Sequence, residues 1–171
     1  MWVFGYGSLM WDEWEKKFDG KRYDNSKILN YRRDFNKKST VNWGTRQNPG
    51  PTLGLEVQLG SECIGCAFEF LNEKREQILG YLRDREGESF SLSEIDMVLE
   101  NGANAKAITP INSHTSHTYI GRLTIDQRIQ MAKSAVGSHG KCTDYVSNIR
   151  NKLVELNIRD EHVENFWKAL S

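Results

Sequence analysis

The residues best suited to chemistry are Phe4-Gly5-Tyr6-Gly7-Ser8-Leu9, where two glycines straddle a tyrosine behind a short apolar run. Glycine lets a backbone turn sharply and come close to a ligand. Successive amide N–H groups in such a turn can form a nest for an anion or a developing oxyanion, and Ser8 adds a hydroxyl. A plain tight turn would carry the same residues, so the spacing leaves both readings open. The stretch lacks the third glycine of a dinucleotide fingerprint and the lysine of a P-loop. A second group is Tyr81-Leu82-Arg83-Asp84-Arg85-Glu86-Gly87. Arg83 and Asp84 fit a solvated helix end with i,i+3 ion pairs. Glu86 stands where the chain leaves the helix, and its carboxylate can face a pocket as a general acid or base. A third group is Tyr31-Arg32-Arg33-Asp34-Phe35 with Ser39-Thr40. An arginine here either holds a substrate carboxylate through paired hydrogen bonds or lines a basic strand face.

Two tempting clusters read as structural. Cys63-Ile64-Gly65-Cys66 has no second pair to complete a zinc site, and it falls in a predicted strand rather than at a helix N-terminus. His114-Thr115-Ser116-His117 has no acidic third ligand nearby and reads as a polar loop. Trp2, Trp11 and Trp14 flank the glycine turn as packing residues. No metal site is expected.

Elements must hold these groups in place. Met1 to Phe4 reads as a buried strand whose end opens into the glycine turn. After Pro49-Gly50-Pro51, Thr52 to Leu59 alternates Leu53, Leu55, Val57 and Leu59 on one face, as a half-buried strand does. Cys63 to Phe70 continues it beyond a turn at Gly60-Ser61. Asn72 is placed to cap a helix from Glu73 to about Asp84, with Ile78, Leu79 and Leu82 as its apolar stripe. Ser91 to Leu99 and Ala105 to Ile111 are strands joined at Asn101-Gly102. Thr124 and Gln127 form a capping box for a helix carrying Ile125, Ile129, Ala132 and Val136 that stops at Gly137. Two more helices carry Tyr145, Ile149, Leu153 and Leu156, then Val163, Phe166, Trp167 and Leu170. Strands first and helices last indicate an α+β fold.

The 171 residues fit one domain, 1–171, large enough to bury a core without staples. Lys+Arg and Asp+Glu balance at 23 each, so no strong field draws the chain to nucleic acid or an anionic membrane. No basic and apolar leader opens the sequence, and no apolar run approaches a membrane span. Three cysteines, an odd number, argue against a disulfide framework. A cytoplasmic protein acting on a small polar molecule is expected.

Together these pieces resemble the ChaC-like γ-glutamylcyclotransferase family. Val3-Phe4-Gly5-Tyr6-Gly7-Ser8-Leu9-Met10-Trp11 is similar to the family's N-terminal motif nearly residue for residue. The likeness continues through Tyr31, Arg33, Phe35, Ser39-Thr40, Pro49-Gly50, Thr52-Leu53, Cys63, Tyr81-Leu82 and Arg85-Glu86, then Tyr119-Ile120-Gly121 and Thr143-Asp144-Tyr145. It departs at Val41-Asn42-Trp43-Gly44, at Gly87-Glu88-Ser89-Phe90 and at Cys142, positions that bear on substrate choice. The resemblance implies a small mixed β-barrel with flanking helices. It implies a cyclotransferase that converts a γ-glutamyl substrate, with glutathione the leading candidate, to 5-oxoproline and a released amine. Other γ-glutamyl amino acids or amines are alternative substrates, and a non-catalytic γ-glutamyl-binding module is an alternative role. Glu86 is the implied acid/base. Tyr6, Gly7, Ser8, Leu9, Arg33, Ser39 and Tyr145 are the implied substrate-binding residues, and no cofactor is implied.

Overall fold

The short apolar run at the start of the chain becomes β1 (Trp2–Gly5), which is flanked on both sides by other strands. The structure is a computed structural model and describes residues 1–86 and 90–170. The remaining main elements are β2 (Lys21–Ser39), β3 (Gly50–Glu69), α1 (Arg75–Glu86), β4 (Phe90–Val98) and β5 (Asn104–Asn112). They are followed by α2 (Ile125–Ser134), a two-residue hairpin of β6 (Val136–Gly137) and β7 (Gly140–Lys141), α3 (Cys142–Glu155) and α4 (Glu161–Leu170). The first five strands close a barrel in the order β1-β3-β2-β4-β5. It is mixed. β1 runs antiparallel to β3, with Gly5 opposite Cys66, and parallel to β5, with Val3 opposite Ile108. β4 and β5 pair along their whole length, from Phe90–Asn112 to Val98–Asn104.

The expected span of 1–171 holds two compact units, Met1–Arg32 with Val57–Ser113, and Arg33–Glu56 with His114–Ser171. In the first, Phe4, Trp14, Ile28, Phe68, Ile78 and Leu82 are fully buried. In the second, Phe35 and Phe166 stack at 4.3 Å amid the buried faces of α2, α3 and α4. Among the described residues no helix is long and apolar enough to cross a membrane.

Several local expectations change. β2 is a nineteen-residue strand whose full extent the sequence does not announce. β3 does not stop at Gly60-Ser61 but passes through it. Asn30 on β2 (φ 63°) and Gly60 on β3 (φ 80°) both adopt left-handed backbone, and the Gly60 N–H donates to Asn30 Oδ1 at 3.0 Å. Just before Gly60 the apolar face breaks, and it resumes at Cys63. Leu53 and Leu55 are buried, but Val57 and Leu59 are exposed. Asn72 does not cap α1; its Oδ1 accepts from the Met1 amino group at 2.8 Å, and Asn72–Lys74 form a 3₁₀ turn before the helix. The capping box of Thr124 and Gln127 is formed, but α2 ends at Ser134, which leaves Val136 exposed in the hairpin. Of the departures noted at 87–90, Gly87-Glu88-Ser89 lies outside the described residues.

Candidate active site

In the first unit, the glycine turn is shaped by contact with β3. A Cβ on Gly5 would sit 3.0 Å from Leu9 Cβ and from the Phe68 ring, and one on Gly65 would sit 2.2 Å from the Gly5 carbonyl oxygen. Of these two, Gly65 has the stricter need for glycine, because it would meet a backbone oxygen. Gly7 has φ −136°, outside the left-handed region. The chain then forms a 3₁₀ turn, Ser8–Met10, with the Met10 N–H donating to Gly7 O at 2.9 Å. Leu9 is buried, Ser8 is exposed, and Tyr6 is buried with its hydroxyl donating to Pro110 O at 2.9 Å.

The end of α1 meets this turn. Ile78, Leu79 and Leu82 bury one side of the helix, while Tyr81 lies parallel to the fully buried Trp14 at 5.5 Å. This packing directs Arg85 toward the turn. Its guanidinium donates to Ser8 Oγ at 3.1 Å, to Tyr81 Oη at 2.9 Å and to the Asp12 carboxylate. Burial works against the Arg85 charge, but the bonds to Asp12 and Tyr81 outweigh it and hold the group above its ordinary value. Glu86 is the last residue of α1, with its side chain largely covered and Oε1 3.8 Å from Arg85 Nε. The first unit thus brings Ser8, Arg85 and Glu86 into one constellation, with Tyr6 and Leu9 as buried supports.

The second unit holds the other expected residues. Ser39 Oγ accepts the Trp43 N–H at 3.1 Å, the Trp43 ring lies 5.1 Å from Tyr145, and Tyr145 Oη accepts the Leu53 N–H at 3.1 Å. Ser39 and Tyr145 therefore share a neighbour. Arg33 has a partner of its own. Its side chain is fully buried and pairs with Asp160 Oδ2 at 3.0 Å, while Asp160 Oδ1 caps α4 through the Val163 N–H. The guanidinium offered to a substrate carboxylate is already engaged by a carboxylate of the chain itself.

Some polar groups escape sequence reasoning because their partners are distant in the chain. Glu56 accepts from Asn36 Nδ2 and Tyr119 Oη, both at 2.9 Å, and its Oε1 lies 2.8 Å from His114 Nε2. Burial and the bond to Glu56 push the Tyr119 phenol up to about 12. His114, expected in an unremarkable polar loop, has a carboxylate partner after all. The cysteines are core residues: Cys63 and Cys66 are each 1% exposed and Cys142 is 0% exposed. Cys66 Sγ lies 3.2 Å from Asp24 Oδ1, and the Cys142 thiol donates to Pro51 O and is pushed up to about 12 by burial. Among the described residues, no three His, Cys, Asp or Glu side chains converge as a metal site would require.

A family model described as ChaC-like protein matches residues 1–171. Gamma-glutamylcyclotransferase 2-3 of Arabidopsis thaliana is 30% identical over 175 residues, covering 95% of this chain and 84% of the relative. The glutathione-specific gamma-glutamylcyclotransferase of Escherichia coli (strain K12) is 26% identical, covering 94% and 68%. A solved γ-glutamyl cyclotransferase from yeast, specific to glutathione, superposes with a TM-score of 0.86 at 18% identity over 99% of this chain and 95% of its own. At that identity the likeness is one of fold.

Proposed function

The chain belongs to the ChaC-like protein family and on that footing is a γ-glutamylcyclotransferase; we propose that its substrate is glutathione and that Glu86 is its acid/base. The α-amine of the γ-glutamyl group attacks its own γ-carbonyl carbon. That C–N bond forms, the γ-amide C–N bond breaks, and 5-oxoproline leaves with cysteinylglycine. The reactants are already tethered, so the protein's task is to fold them into a near-attack geometry. Two protons must also travel from the α-ammonium to the departing nitrogen, because the lactam nitrogen keeps one hydrogen and the amine leaves as an ammonium. A single carboxylate between the two can take each in turn and pass it on. Both C–N bonds, the one made and the one broken, lie within the substrate, and the chemistry calls for no cofactor.

The observation that supports this reading is the placement of Glu86 at the end of α1, next to an arginine that hydrogen-bonds Ser8 of the glycine turn. The first amides of the 3₁₀ turn, at Ser8 and Leu9, have no carbonyl within the turn to bond. They suit a carboxylate or the oxyanion of the tetrahedral intermediate. Tyr6 and Leu9 fix the turn from beneath. The three buried cysteine thiols suit a reducing, cytoplasmic compartment. The test is to incubate the pure protein with glutathione and with several γ-glutamyl dipeptides and measure 5-oxoproline. Release from glutathione at the highest kcat/KM is the expected result. Preference for another γ-glutamyl amide would overturn the substrate, and no release from any would overturn the activity.

A further inference from the structure

Arg85 reaches farther than a helix-end arginine in solvent would. Its side chain is mostly buried, and its fork spans three acceptors from two segments, Ser8 Oγ on the turn with Asp12 beyond it, and Tyr81 Oη on α1. The remaining nitrogen, Nε, lies 3.8 Å from Glu86 Oε1. A planar guanidinium can meet several acceptors in fixed directions at once, which a lysine ammonium on a flexible stem does not. The residue therefore holds the turn against the helix end and keeps a positive charge beside the carboxylate.

We infer that Arg85 is a positioning residue for cyclotransfer, coupling the Ser8 turn to Glu86 and favouring the ionised carboxylate that accepts the first proton. This rests on the reading of Glu86 as the acid/base. Among the described residues, the titratable groups around the guanidinium are Asp12, beyond the turn, and Tyr81 and Glu86 from α1. Lys17 lies over the Tyr81 ring at 5.2 Å. β4 also packs on α1, but its Glu94 and Asp96 are exposed, and Asp96 pairs with Lys106 at 2.8 Å. Among the described residues, Arg85 favours the Glu86 charge, and Asp12, held by the same guanidinium, carries the charge that offsets Arg85.

The test compares the parent with Arg85→Gln, Arg85→Lys and Asp12→Asn. The Glu86 carboxyl is titrated by carbon-detected NMR without substrate, and turnover of glutathione is measured alongside. Arg85→Gln is expected to move the Glu86 midpoint up and Asp12→Asn to move it down. Arg85→Gln should cut kcat/KM by on the order of 10²-fold, as misplacement of reacting groups does. Arg85→Lys should keep the midpoint near the parent's yet still lose turnover, because charge survives without the fork. Unmoved midpoints, or a loss of turnover that only follows the unfolded fraction, would overturn the inference. If the midpoints move as expected in a parent that releases no 5-oxoproline, the assigned activity fails while the coupling stands. If the parent turns over and Arg85→Gln matches it, the coupling fails and the activity stands.

Discussion

Glu86 carries the sharpest expectation at the scale of single residues. Glu86→Gln keeps the shape of the side chain and the length of α1 but cannot take a proton. Turnover should fall by about 10²–10⁴-fold with little change in melting temperature; near-parental kcat would remove Glu86 from the mechanism. Both this residue and the glycine turn are legible in the sequence, because each is a local run of unusual composition. Arg85 is visible in the same run, yet its partners Ser8 and Asp12 lie more than seventy residues away, and only the fold reveals them. Glycine offers the same lesson. Gly7 attracts attention between Tyr6 and Ser8, whereas Gly65 on β3 does not, yet a Cβ there would lie 2.2 Å from the Gly5 carbonyl oxygen. Backbone cannot swing aside as a side chain can. Gly65→Ala should cost about 1–3 kcal/mol, as overpacking does, read as a lowered midpoint in a denaturant titration; an unchanged midpoint would show that the strands give way.

At the scale of elements, β4, β5, α3 and α4 follow from their apolar periodicity, and Thr124 and Gln127 mark where α2 begins. β2 does not announce itself. Lys21 to Asp34 mixes charge and aromatic residues without alternation, and pairing with neighbouring strands holds it extended where intrinsic preference would not. The exposure of Val57 and Leu59 has a related cause. Left-handed Asn30 and Gly60 face each other across β2 and β3, and the apolar face is interrupted there. Nothing lies within 4 Å of a Cβ built on Gly60, so a substitution there would meet only conformational cost. Gly60→Ala should therefore destabilise by roughly 1–2 kcal/mol, the cost of left-handed backbone for an L-residue. An unchanged unfolding midpoint would show that the strand relaxes at the kink.

At the scale of the whole molecule, closure of the barrel was implied by the resemblance rather than by any periodicity, since strand order is not written in a single strand. Global stability should carry an alkaline limit. The Tyr119 phenol is raised from its ordinary 10.0 to about 12, and the Cys142 thiol from 9.0 to about 12. In each case the folded chain keeps a proton that the unfolded chain gives up first. Their contribution is complete below the unfolded values and is lost as pH rises toward 12. Tyr119→Phe should flatten the fall in melting temperature above pH 10, and a parental slope would assign the limit elsewhere. The burial of all three thiols has a consequence of another kind. A protein proposed to work in a pool of glutathione meets its mixed-disulfide chemistry constantly, and exchange begins with an accessible thiolate. Cys63, Cys66 and Cys142 are each exposed by 1% or less. Intact-mass measurement after exposure of the folded protein to oxidised glutathione should find no adduct. The chain would then consume the cell's principal redox buffer without registering that buffer's oxidation state.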